Sequence, residues 1–315
     1  MCTRTQTREL YQQILHTSTP LYFFFSLFHP LFLSRNATTE TALKDEEEVG
    51  LQALNLWCTI ADYETEMKAE AEEEAGPETE APNSHHFIRA AAPHLTPLLL
   101  SQLTKQEEGQ ERDDEGYWNI SMCAAAVLGL AAPLVQDPIV GMVQPFVQQN
   151  ISKRDGSGED WRYREAATLA FGAILDGPSL ATLRPLTTDG LRFLLEALKT
   201  EHHTMVLDTT LWAIGRILEH AHVPEIITPQ LAELVGVLHV ALKQSEHLAQ
   251  KAIFALVALT EGFATDDHAR ATSPILPSLP QMIGALLETT QREHLGLQVR
   301  LVSSLDPIPL TDLYV

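Results

Sequence analysis

The chain has 315 residues and a mass of 34.9 kDa, with 45% hydrophobic and 20% charged residues, so it can bury a sizeable core and is not a wholly disordered polymer. Acids outnumber bases 42 to 21, a net charge of -21 that repels phosphate backbones and favours basic partners. Cys2, Cys58 and Cys123 form no CxxC pair, which disfavours a disulfide framework and a thiolate zinc site, and suits a reducing compartment.

Residues 20–33, PLYFFFSLFHPLFL, are the most apolar stretch. They are shorter than the roughly 20 apolar residues that a membrane-spanning helix needs. The long leader before them contains Glu9, prolines bracket the run, and no small-x-small cleavage site follows. Residues 1–44 are therefore expected to be an extension, disordered or loosely docked, outside the main fold. Residues 306–315 are expected to be an unrelated tail.

Between these ends apolar residues recur at helical spacing, without strand-like alternation. In chain order the spacing predicts helices over Glu47–Tyr63, Phe87–Gln106, Asn119–Leu134, Ile139–Ser152, Trp161–Leu175 and Ala181–Lys199. Further helices are expected over Thr204–His222, Pro229–Lys243, Glu246–Phe263 and Pro277–Thr290, with a short start at Leu297. Most of the acidity lies outside these helices. Nine acids against Lys68 fall in 62–81, and six against Arg112 fall in 107–115. The first of these stretches reads as an exposed helix extension or a loop.

The helices repeat in pairs. Aligning CAAAVLGLA, EAATLAFGA, DTTLWAIGR and QKAIFALVA places Ala124, Ala167, Thr210 and Ala252 at intervals of 43, 43 and 42. Trp118 and Trp161 are also 43 apart. Two helices per unit of about 40–47 residues mark an all-α solenoid of HEAT or armadillo type. Each pair carries too much apolar surface to stand alone, and stacking buries it in a continuous core. The array is expected over 45–305, in about five units, with first helices outside and second helices inside. Small residues such as Ala124, Ala166, Ala167 and Gly172 would let second helices approach closely. Pro145, Pro185, Pro229 and Pro277 are expected to bend first helices.

Within this array, DWRYREAATLAFGAILDGP at 160–178 resembles the middle of the importin-β (karyopherin-β) family. DTTLWAIGRI at 208–217, LTKQ at 103–106 before an acid-rich run and Trp118-Asn119, and LLETT at 286–290 keep the same register. The resemblance implies a nuclear transport receptor, moving between cytoplasm and nucleus through the pore. Its expected partners are basic import signals or the importin-α adaptor, GTP-bound Ran, and phenylalanine-glycine nucleoporins. The family's acidic loop would map onto Glu107, Glu108, Glu111, Asp113, Asp114, Glu115 and Trp118. Gly109, Gln110, Arg112 and Gly116 interrupt it here, and Leu207 and Phe254 replace the arginine and tryptophan usual in the family. Only a central portion of such a receptor is covered.

The residues themselves support a binding role for that loop, with acids attracting a basic partner and Trp118 stacking on an arginine or lysine stem. A merely solvated insertion is the competing reading. Trp212, on a second helix, is expected to be partly exposed and to take part in binding, whereas Trp57 and Trp161 read as packing residues. Asp160 and Arg164 are expected to pair, with Asp160 also capping its helix. No GxSxG, GxxxxGK[ST], HExxH or post-strand GxGxxG occurs, so neither an enzyme nor a cofactor or metal site is expected, and no direct contact with nucleic acid or membrane. A HEAT scaffold, as in a protein phosphatase, and an acidic histone chaperone remain as alternatives.

Overall fold

The computed structural model describes residues 40–75, 86–106, 119–156, 158–221, 223–264 and 273–291. Ten main helices fall there, and no strand occurs among the described residues. They are α1 (Glu40–Ala75), α2 (Phe87–Gln102), α3 (Ile120–Val135), α4 (Pro138–Asn150) and α5 (Asp160–Ala173). After these come α6 (Leu180–Thr200), α7 (Thr204–His220), α8 (Leu231–Ala241), α9 (Glu246–Ala264) and α10 (Leu279–Thr290). A helical turn at Pro224–Ile227 and a 3-10 turn at Thr228–Gln230 lead into α8. The architecture is an α-solenoid of antiparallel helix pairs. The chain divides into two compact units, one up to Val143 and one from Gln144, with α4 spanning the division.

In the first unit α3 packs against both α1 and α2. That explains its composition: Cys123, Ala124, Ala125, Val127, Leu128 and Ala132 are all buried, because partners lie on two sides. Asn119 caps it, its Oδ1 accepting from Met122 N at 2.8 Å. The start of α2 is satisfied differently. His86, at the N-cap with φ 51°, offers no side-chain bond. Glu64 of α1 supplies the acceptors instead, taking Phe87 N at 2.7 Å and Ile88 N at 3.2 Å. A carboxylate is thereby held at the positive end of a helix from an element 23 residues away.

In the second unit the second helices α5, α7 and α9 pack in succession, and the first helices α6, α8 and α10 do likewise. Helix α6 shows the pattern of a first helix. It buries Leu183, Thr187, Leu191, Leu194 and Leu195 along one stripe, while Arg192 and Asp189 pair in solvent. Ion pairs join the first helices, Lys199 to Glu233 at 2.5 Å and Lys243 to Glu288 at 3.3 Å. Each is exposed enough that it contributes little stability.

The second helices are held by closer packing. The Trp212 ring of α7 lies over Gly172 of α5, and the Phe254 ring of α9 lies over Gly215 of α7; a Cβ at either glycine would collide with the ring. Gly172 and Gly215 are 43 residues apart and the two aromatics 42, so the contact recurs at two successive repeats. A buried hydrogen bond from Thr209 Oγ1 to Glu165 Oε1, at 2.7 Å, reinforces the α5–α7 step.

Helix α1 starts at Glu40 and runs on through the Glu/Ala-rich segment to Ala75, so up to there the segment is a helix extension, one of the two readings given for it. Other expectations need correction. Pro145 and Pro185 do lie within first helices, but Pro229 and Pro277 sit in 3-10 turns ahead of them. Arg164 does not pair with Asp160. Its Nε and Nη2 clasp Glu201 at 2.8 and 3.2 Å, and Nη1 donates to Lys153 O at 3.1 Å. Asp160 accepts from Gly156 N in the preceding turn and makes no helix cap. Glu201 wins because it sits just after α6 with both oxygens turned to the guanidinium in a bidentate match, and Asp160 is already engaged. The expected helix start at Leu297, most of residues 1–44, and residues 306–315 lie outside the described residues.

Candidate functional site

The acidic loop, with Glu107, Glu108, Glu111, Asp113, Asp114, Glu115 and Trp118, lies outside the described residues. Its two anchors are on view. It leaves the end of α2, where Leu103 is fully buried and Leu103 O accepts from Ser121 Oγ at 3.1 Å, and it enters α3 through the Asn119 cap. The Leu103–Ser121 bond ties the two ends together across the loop. The loop thus joins the two helices of one pair.

A second acidic feature lies on α1. Asp62, Glu66, Glu70 and Glu73 follow one another at helical steps, and all four are exposed. Desolvation, and after it the charge of Glu66, raise the Asp62 carboxyl above its ordinary value. Such mutual repulsion is relieved by a cation. The base in this segment, Lys68, faces elsewhere, donating to Pro133 O of α3 at 3.2 Å and lying 3.8 Å from Glu72. The stripe was readable in the sequence from its 4, 4, 3 spacing, but not its exposure on an ordered helix.

The structure corrects the reading of Trp212. It is 4% exposed, with its ring against Gly172. The cation near its face is the chain's own Arg216, whose Cζ lies 6.0 Å from the ring centroid. Arg216 is itself buried and pairs with Glu219 at 3.0 Å, while His220 contacts Arg216, Glu219 and Asp176. Burial alone would raise the Glu219 carboxyl, but His220 and Arg216 together hold it below its ordinary value. The expected exchange between this tryptophan and a partner's cation is thus made internally. Trp161 is likewise buried, and it stacks on His203 with centroids 4.0 Å apart. Trp57 is half-buried.

Apolar side chains exposed on the first helices were not singled out from the sequence. Leu180 and Phe193 of α6, Val240 of α8, and Ile283 and Leu287 of α10 all reach solvent. Their spacing was legible, but which apolar positions stay uncovered depends on the neighbouring repeat. Among the described residues no group of three or more His, Cys, Asp or Glu is placed to hold a metal, and no helix is long and apolar enough to cross a membrane.

Comparison with known proteins agrees with this architecture. The HEAT-like repeat family matches residues 161–217. Importin subunit beta-1 of Arabidopsis thaliana is 39% identical over 82% of this chain, and that of Schizosaccharomyces pombe 37% identical over 81%. The chain spans 29% of the length of each. Among solved structures, yeast importin-β (Kap95p) superposes with a TM-score of 0.70 at 27% identity, covering 89% of this chain and 30% of Kap95p. A complex of Kap95 with Nup1 matches equally, at a TM-score of 0.70 and 28% identity over the same shares. Binding of RanGDP by Kap95p is described for another neighbour with a TM-score of 0.70, at 28% identity and again the same shares.

Proposed function

The chain belongs to the importin-β family of nuclear transport receptors, and from that premise we propose that it binds arginine- and lysine-rich import signals, or an importin-α-type adaptor carrying one. The acids of the 107–115 loop and the Asp62, Glu66, Glu70 and Glu73 stripe attract the basic segment. Trp118 stacks on an arginine or lysine stem once the complex has formed. One observation carries this reading: an ordered row of exposed carboxylates on a second helix of a repeat array, within a chain 39% identical to an importin subunit beta-1.

Two further partners follow from the solved relatives. Kap95p is described with RanGDP and with Nup1, which supports contacts of these repeats with Ran and with phenylalanine-glycine nucleoporins. The exposed Leu180, Phe193, Val240, Ile283 and Leu287 suit weak apolar contacts of the second kind. The chain would accordingly exchange between cytoplasm and nucleus through the pore.

The test is a titration with a fluorescently labelled arginine- and lysine-rich peptide at low and at physiological salt. Charge pairs at an exposed surface are screened within about 8 Å at physiological salt, so affinity should fall steeply. Binding that ignores salt, or no binding at low salt, overturns the proposal.

A further inference from the structure

Helices α1 and α3 bring together two thiols that are 65 positions apart in the chain. Cys123, fully buried near the start of α3, donates from Sγ to Asn55 Oδ1 of α1 at 3.5 Å. Cys58 lies three residues beyond Asn55, on the same face of α1. The Cys123 Sγ that reaches Asn55 therefore meets α1 on the side that carries Cys58, one helical turn on. Small buried neighbours, Ala61 on α1 and Ala124 and Ala125 on α3, let the two helices approach. Cys123 is sealed, whereas Cys58 is half-buried.

We infer that Cys58 and Cys123 form a modification site, closing reversibly into a disulfide between α1 and α3 by exchange with a low-molecular-weight disulfide of the glutathione class. In the first step Cys58 gives its proton to solvent, and its thiolate attacks one sulfur of glutathione disulfide. That S–S bond breaks, and one glutathione leaves as a thiolate and takes up a proton. In the second step Cys123 gives up its proton and attacks the Cys58 sulfur of the mixed disulfide. The Cys58–Cys123 bond forms and the second glutathione leaves as a thiol. Two protein thiols and one glutathione disulfide thus become one protein disulfide and two glutathione thiols, the electron pair passing to glutathione. The hydrogen bond to Cys123, then burial, then the charges of Cys123 and Asp62 hold the Cys58 thiol above its ordinary value. The attacking thiolate is scarce, so the exchange is slow and responds to sustained oxidation rather than to a brief pulse.

The experiment uses the full chain with Cys2→Ser, incubated folded with mixtures of oxidised and reduced glutathione, alkylated and mapped as peptides without reduction. The expected product is a Cys58–Cys123 cross-linked peptide, favoured over the mixed disulfide by at least about tenfold more in the folded chain than in urea, because folding raises the effective concentration of one thiol at the other. In Cys123→Ala, Cys58 should stop at the glutathione adduct. The cross-linked chain should keep its helical circular dichroism. A folded chain that carries glutathione on Cys58 while Cys123 stays free overturns the inference. So does a cross-link no more abundant than in urea, or one that costs the helical signal.

Discussion

The Trp212 ring rests on Gly172 of the preceding second helix with no room for a methyl group between them. A side chain at one position and the lack of one at the other, 40 residues apart, define a single packing step. Gly172→Ala should therefore destabilise the chain by about 1–3 kcal/mol through overpacking. Trp212→Leu should cost about 2–4 kcal/mol through the void it leaves. The double variant should lose less than the sum of the two, since the smaller side chain makes room for the new methyl. Urea unfolding of the four proteins checks this. Strict additivity would mean that the contact is not shared.

Glu64→Ala should release the first turn of α2. Phe87 N and Ile88 N lose their acceptors, and His86 offers none. The expected cost is about 1–2 kcal/mol, with faster amide exchange at Phe87 and Ile88 than elsewhere in α2. Uniform protection along α2 in the variant would count against this cap.

Acid sensitivity should centre on Glu201. Burial alone would raise its carboxyl, but Arg164 and the backbone N–H groups of His203 and His202 outweigh it and bring the pKa from an ordinary 4.5 to about 2. A depressed carboxylate contributes stability that is fully present above the unfolded value and lost as pH falls through the folded one. The contribution should fade between pH 4.5 and about 2. Glu201→Gln should be less stable at pH 7 and should flatten that part of the pH profile. An unchanged slope in that window would remove Glu201 from the account.

Changing Asp113, Asp114 and Glu115 to Asn, Asn and Gln should slow capture of a basic peptide, because steering acts on association. Trp118→Ala should instead speed release, at a cost of about 1 kcal/mol. Stopped-flow measurement separates the two rates. If Trp118→Ala unfolds the chain and leaves no separate effect on release, the tryptophan is a packing residue.

The helix pairs were legible because a period of 43 survives in small buried residues such as Ala124 and Ala167, where any enlargement meets the next helix. The end of α1 was not, because beyond Tyr63 few apolar residues mark a face. The glutamates and alanines of 64–75 favour a helix by propensity, and tertiary contacts that spacing does not reveal, Glu64 to α2 and Lys68 to α3, hold it in place. The role of Trp212 was misread because a tryptophan on a second helix looks the same whether glycine or solvent lies beneath it. Arg164 was assigned to Asp160 by proximity in sequence, whereas its partner Glu201 lies 37 residues on and joins it only through the fold. The α1 stripe was visible as spacing, but its meaning depended on knowing that the segment is ordered and its carboxylates uncovered.

The aromatic-on-glycine steps also bear on how the chain is made. Gly172 is in place before Trp212 is synthesised, and Gly215 before Phe254, so each ring finds its seat already translated. A ribosome releases residues at about 5–20 per second, slower than helix formation in small segments. Each repeat can therefore settle onto its predecessor as it emerges, with the most recent repeat as the growing end. An aromatic lost midway would leave the ribosome-proximal part without a foundation, a defect of assembly order that would show as stalled, protease-sensitive nascent chains at that length and not at shorter ones.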